Sequence, residues 1–216
     1  MTIRHVVWDW NGTLLADQHA VLGALNVLLV EMDLPATDLP TYRRLYTRPV
    51  RHFYERLLQR SIDDSLWRHI DTVFHTAYFD LVTDASLDPD ARAAMAAVAE
   101  AGHSQSLLSM APHDHLLEMV AHHDLEDHFV RIDGLRGVGG GHKEEWLRAH
   151  LAAMSMTSSA EVVVIGDALD DAVAAAAVGA PVVLFDGGSH PPEALHGAGV
   201  PVASSLGDAV RVAGLV

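Results

Sequence analysis

The 216 residues contain no cysteine. That excludes a disulfide framework and thiol chemistry, and it makes a cytoplasmic setting the expectation. Positive charge is scarce as well. Fourteen Lys and Arg residues stand against 29 Asp and Glu, a formal charge of −15 with histidine neutral. A field of that sign repels polyanions, so nucleic acid is not an expected partner. A small anion is still admissible, because local positive groups or a divalent cation offset the field at short range. No apolar run reaches the ~18 residues a membrane span requires. The first residues also lack the basic stretch, apolar run and cleavage site of a signal peptide. No internal repeat or low-complexity linker is visible. The remaining composition, half hydrophobic and 20% charged, is that of a globular chain. Its length holds one domain, or one core with a smaller insert. Fifteen histidines will partly charge on mild acidification.

The chemistry is concentrated in residues 3–17, Ile-Arg-His-Val-Val-Trp-Asp-Trp-Asn-Gly-Thr-Leu-Leu-Ala-Asp. Val6-Val7-Trp8 is short, β-branched and aromatic, and turn formers follow Asp9 at once. This is the pattern of a central strand buried on both faces. Asp9 then lies at the strand's carboxyl end, where open α/β sheets bind ligands. An unpaired buried carboxylate is costly, so a metal ion or a nucleophilic role accounts for Asp9 better than packing does. Trp8 is expected in the core and Trp10 along the cleft.

Residues 18–84 read as helix throughout. Leu22, Leu25, Leu28, Leu29 and Met32 form a stripe that ends near Asp33 and Pro35. Helical spacing continues over 39–58, interrupted by Pro49, and over 61–83 through Leu66, Ile70, Val73 and Phe74. The pattern predicts a helical cap at 18–84 inserted into a core made of 1–17 and 85–216. From Asp88 onward strands and helices alternate. Helices are expected from Pro89 to Ala101 and at 113–123, 143–153 and 171–178, with strands at 105–109, 162–165, 182–185 and 200–203. A glycine-rich loop spans 130–142. Such alternation predicts a Rossmann-like parallel α/β sheet with helices on both faces.

Four polar stations occur in order: Asp9 with Asn11-Gly12-Thr13, Ser109 at a strand's end, Lys143 opening a helix, and Gly166-Asp167-Ala168-Leu169-Asp170-Asp171 after Val162–Ile165. Singly they have ordinary explanations: a strand-end hydroxyl, a solvated lysine, and a helix N-cap at Asp170. Together the chain resembles the haloacid dehalogenase (HAD) superfamily over nearly its whole length. The likeness is to phosphoglycolate-phosphatase-like members with a type 1 helical cap. The resemblance implies a phosphatase acting on a small phosphorylated metabolite, as a monomer or homodimer. Asp9 is then the nucleophile and forms an aspartyl-phosphate. Mg²⁺ is held by Asp9, the backbone carbonyl of Asn11 and Asp167, with Asp171 bound directly or through water. Ser109 and Lys143 hold phosphoryl oxygens, and Gly12 and Thr13 offer backbone N–H groups. Asp170 stays structural.

Asn11 departs from the family pattern, which has a second aspartate there to protonate the leaving oxygen and later activate water. A carboxamide exchanges no proton near neutral pH. Positioned acid–base catalysis contributes typically ~10²–10⁴-fold, so a slow or specialised phosphatase is expected, or one that borrows His19 or His113. Two other classes stay open. One is a non-catalytic or weakly catalytic phosphate-binding homologue, and the other a phosphonatase- or dehalogenase-like hydrolase. Retained Asp167 and Asp171 disfavour dehalogenation, which needs no cation. In the cap, Arg48 and Arg51 flank Pro49 and are candidate contacts to an anionic substrate. Thr47 stands where related caps carry the glycine of a Gly-x-Pro turn. The Gly137–Lys143 run lacks phosphate-loop spacing. His113, His115, His122 and His123 read as a solvated helix face rather than a metal site.

Overall fold

The computed structural model describes residues 3–136, 142–156 and 159–216. It divides into two compact units, one of residues Met1–Leu15 with Leu87–Val216, the other Ala16–Ser86.

The chain enters the first unit through β1 (His5–Trp8), leaves it for four helices, and returns as an alternation of strands and helices. The four helices are α1 (Gln18–Glu31), α2 (Leu39–Leu45), α3 (Val50–Leu58) and α4 (Asp64–Val82). They pack around Leu25, Leu28, Tyr42, Phe53, Tyr54, Ile62 and Ile70. Asp38 and Asp63 cap α2 and α4 by accepting N–H bonds from Thr41 and Leu66, each at 2.8 Å. The helical stretch expected over 39–58 is thus two helices, broken where Pro49 lacks an N–H to donate. Buried Asp17 accepts a hydrogen bond from Tyr78 Oη at 2.7 Å. Arg51 is engaged inside this unit, donating to the Ile62 carbonyl and pairing with Asp64 at 2.9 Å.

The return path forms α5 (Ala91–Glu100), β2 (Ser104–Pro112), α6 (His113–His122), β3 (Ile132–Leu135), α7 (Lys143–Ala153), β4 (Val162–Gly166), α8 (Leu169–Val178), β5 (Val182–Phe185), α9 (Pro192–His196), β6 (Val202–Ala203) and α10 (Leu206–Val212). Among the described residues six strands form one parallel sheet in the order β3-β2-β1-β4-β5-β6. β1 and β4 are buried along their full length, as their Val-rich sequences require of strands covered on both faces. Val7, Leu108, Val162 and Val164 pack on one face against Leu147 and Leu151 of α7 and Ala174 and Ala175 of α8. Neighbouring side chains point to the opposite face. There Trp8 Nε1 donates to Gln105 Oε1 at 2.9 Å, and Gln105 Nε2 donates to the Met95 carbonyl of α5 at 3.0 Å.

Several elements differ from the sequence reading. Ile132–Leu135, placed in a glycine loop, is an edge strand; Gly137 and Gly139–Gly141 of that loop lie outside the described residues. The strand sequence Ile-Asp-Gly-Leu carries no run of apolar residues, and its Asp133 is paired both by Arg131, two residues before it, and by His150 of α7. Helix α8 begins at Leu169, which puts Asp170 and Asp171 in its first turn. The chain also forms two short helices, α9 and α10, beyond those the sequence pattern predicts.

Candidate active site

The strand order reverses between β1 and β4, and the crevice at such a switch point is where doubly wound sheets bind ligands. Asp9 lies one residue past β1 and still donates its N–H to the Ile165 carbonyl of β4 at 2.9 Å. Asp167 lies one residue past β4. Adjacent strands therefore deliver two carboxylates side by side.

The turn after Asp9 closes on itself. Thr13 and Leu15 donate their N–H groups to the Trp10 carbonyl at 3.1 and 2.9 Å, and Gly12 donates to the Leu15 carbonyl at 2.9 Å. The expectation that Gly12 and Thr13 turn their N–H groups toward a phosphoryl oxygen is therefore corrected, because the turn consumes both. Their contributions are different ones. Gly12 has φ +74°, and a Cβ there would stand 2.6 Å from Asp167 Oδ2, so only glycine fits. Thr13 Oγ1 lies 3.4 Å from Asp9 Oδ2 and 3.3 Å from Asp167 Oδ1, bridging the two acids. Trp10 is buried with its ring 6.2 Å from that of His123, and does not line an open cleft.

Asp171 joins from α8. Its Oδ2 accepts the Ala168 N–H at 3.0 Å, and Gly166 leaves room for it, since a Cβ at 166 would fall 2.3 Å from Asp171 Cγ. Lys143 opens α7. Its ammonium pairs with Asp9 Oδ1 and, at 2.6 Å, with Asp171 Oδ1. The Lys143 N–H donates to Asp170 Oδ2 at 3.3 Å. Asp170 thus supports the start of α7, while the N-cap position of its own helix is Ala168.

Charge dominates this cluster. Ligand oxygens of Asp9, Asp167 and Asp171 lie within 4.8 Å of one another, and none of the three residues is more than 8% exposed. Water therefore does little to screen their repulsion. Burial, then Asp9, then Asp171 push the Asp167 carboxyl up to about 8. Burial alone would lower the Lys143 pKa, but attraction to Asp171 and Asp9 outweighs it and holds the ammonium above its ordinary value. Three hard oxygen donors facing one ammonium are an excess of buried negative charge. That donor set fits a divalent cation such as Mg²⁺.

The second station faces the first. Ser109 Oγ donates to Asn11 Oδ1 at 3.2 Å and accepts the Ala111 N–H at 3.1 Å. The strand's backbone thus aims the hydroxyl at the carboxamide. Asp9, Asn11, Thr13, Ser109, Lys143, Asp167 and Asp171 all belong to the α/β unit, whereas Arg48 and Arg51 belong to the helical one.

Two groupings escaped the sequence reading. After β5, Ser189 donates its N–H to Asp167 Oδ2 at 2.5 Å. The pair Gly187-Gly188, one residue removed from the end of β5, was the available signal. Farther down the sheet, His5 Nδ1 lies 2.7 Å from Ser104 Oγ and its Nε2 2.8 Å from Ser106 Oγ. Ser106 Oγ is also 2.8 Å from His150 Nε2, and His150 Nδ1 is 2.7 Å from Asp133 Oδ2. The carboxylate fixes the tautomers along this chain. His150 donates from Nδ1 to Asp133, Ser106 donates to His150 Nε2, His5 donates from Nε2 to Ser106, and Ser104 donates to His5 Nδ1. Nothing in the local sequence announces a set drawn from β1, β2, β3 and α7.

A family model described as haloacid dehalogenase-like hydrolase matches residues 3–179. No curated protein matches the chain. Among solved structures, a haloacid dehalogenase-like family hydrolase from Streptococcus pneumoniae superposes with a TM-score of 0.84 at 15% identity, covering 97% of this chain and 98% of that one. A predicted phosphatase from Clostridium acetobutylicum gives a TM-score of 0.83 at 18% identity over the whole of both chains. A predicted phosphoglycolate phosphatase from Haemophilus somnus gives 0.79 at 13% identity over 99% of each. Identities this low establish a shared fold. No helix among the described residues is long and apolar enough to cross a membrane.

Proposed function

The chain belongs to the haloacid dehalogenase-like hydrolase family, and from that footing we propose that it is a Mg²⁺-dependent phosphatase of a small phosphorylated compound, with Asp9 as nucleophile. The buried cluster of Asp9, Asp167 and Asp171 against Lys143 is the observation that carries this reading. Asp9, Asp167, Asp171 and the Asn11 carbonyl would hold the cation. When bound, Mg²⁺ offsets the repulsion between a carboxylate and a phosphoryl group.

Asp9 supplies a carboxylate oxygen to phosphorus, the bond from phosphorus to the leaving oxygen breaks, and water then hydrolyses the aspartyl-phosphate. Lys143 orients the Asp9 carboxylate through their ion pair, and its ammonium attracts the incoming phosphoryl oxygens. Ser109 contributes a hydroxyl to the same oxygens. The phosphatase names carried by structural relatives agree with this reading.

The test is turnover of p-nitrophenyl phosphate with Mg²⁺ and with EDTA, in wild type and Asp9→Asn. Turnover that requires the cation and vanishes in the variant is expected; unchanged turnover in Asp9→Asn rejects the assignment. A second reading, a weakly catalytic phosphate-binding homologue, is favoured by one observation. The Ser109 hydroxyl is spent on the Asn11 carboxamide, which has no proton to trade. Phosphate binding without turnover in the same assay would select it.

A further inference from the structure

We propose that Gly188 and Ser189, in the turn after β5, are positioning residues that fix how Asp167 presents itself to a divalent cation; this rests on the cation reading above. Asp167 is held between two close backbone approaches. One is Gly12, already described. The other is Gly188, where a Cβ would stand 2.1 Å from Asp167 Oδ2, 2.3 Å from its Cβ and 2.4 Å from its Cγ.

The contact with the Asp167 Cβ decides the matter. A flexible side-chain tip swings aside cheaply, but a Cβ is bound to its backbone, here at the end of a fully buried central strand. Adding one methyl group at 188 therefore displaces either the turn or the carboxylate. Gly188 is not in the left-handed region of φ, so the requirement for glycine comes from space and not from backbone conformation.

The next residue uses the room this creates. Ser189 donates its N–H to Asp167 Oδ2 at 2.5 Å, while Thr13 Oγ1 lies 3.3 Å from Oδ1. The N–H occupies a lone pair of Oδ2. Asp167 then offers the cation Oδ1, not a chelating pair of oxygens. Monodentate presentation suits a small ion with strict octahedral demands, where a bidentate carboxylate would favour a larger one.

Mn²⁺ binding, followed by electron paramagnetic resonance of the free ion, tests the proposal in wild type, Gly188→Ala and Gly207→Ala. A Cβ at Gly207 meets nothing closer than 3.8 Å, so that variant serves as the control. Gly188→Ala is expected to weaken Mn²⁺ at least tenfold, with wild-type affinity in the control. Should Gly188→Ala fail to fold, the wild type still decides, through the Ser189 amide resonance during titration with Mg²⁺. A response of that resonance saturating together with Mg²⁺ binding is expected. Wild-type affinity in a folded Gly188→Ala, or a Ser189 amide indifferent to bound Mg²⁺, overturns this inference and leaves the cation reading standing. A wild type that binds neither ion overturns both.

Discussion

Replacing His5 with leucine should remove an acid-sensitive part of this protein's stability. The His5 ring is 1% exposed and sits between two serine hydroxyls, so protonation would place a charge where water cannot reach it. Burial, with a smaller repulsion from His150, lowers its pKa from 6.5 to about 4. His150 is lowered too, by burial working against its bond to Asp133. Because the folded value lies below the unfolded one, the unfolded chain takes up the extra proton between those pH values. Stability is therefore fully present above pH 6.5 and is lost as pH falls toward about 4. Each pH unit between the two values is worth about 1.4 kcal/mol, which sets a ceiling of roughly 3 kcal/mol, with about 2 kcal/mol already gone at pH 5. Against total stabilities of about 5–15 kcal/mol that is a visible share.

Fourteen other histidines are present, so the difference between wild type and His5→Leu is what isolates this residue. The assay is urea unfolding at pH 7.5 and pH 5. The variant should start lower, having lost its two side-chain hydrogen bonds. Its midpoint should then fall less on acidification, by roughly 1 M urea at an m-value of about 2 kcal/mol/M. A gap between the two proteins that stays constant, or widens toward acid, refutes the reasoning.

Lys143→Met leaves three buried carboxylates without their ammonium, and breaking such a pair costs roughly 3–5 kcal/mol. In EDTA the thermal midpoint should fall by about 6–20 °C for a chain of this size, and millimolar Mg²⁺ should recover part of the loss; an unchanged midpoint in EDTA would mean the ammonium does not neutralise the cluster. Asn11→Asp restores a group able to exchange a proton beside Ser109. Turnover of an alkyl phosphate, whose leaving group needs protonation, should rise by ~10²–10⁴-fold, with a smaller gain for an aryl ester. A slower Asn11→Asp would instead assign a role of its own to the carboxamide that receives the Ser109 hydrogen bond.

Much of the α/β unit was legible without coordinates. Val6-Val7-Trp8 and Val162–Ile165 are short apolar runs ended by Asp9 and by Gly166-Asp167, and only buried central strands combine those features. A helical segment between the first strand and the remaining alternation marked an insertion, because period 3.6 and period 2 cannot share one stretch of chain. What stayed hidden depends on residues far apart in sequence. Ile132–Leu135 has no strand pattern of its own, and only pairing to β2 makes it one. The N–H groups of Gly12 and Thr13 looked available to a ligand until folding closed the turn on its own carbonyls.

Local composition determined most of the elements and which acids end β1 and β4, since propensity and hydrophobic period act over a few residues. Tertiary structure alone decided that β1 and β4 are neighbours, that Gly188 and Ser189 reach Asp167, and that His5 and His150 share one serine. Such contacts form only when sheet pairing and helix packing make up the entropy of closing long loops, a global balance that no short stretch of sequence contains.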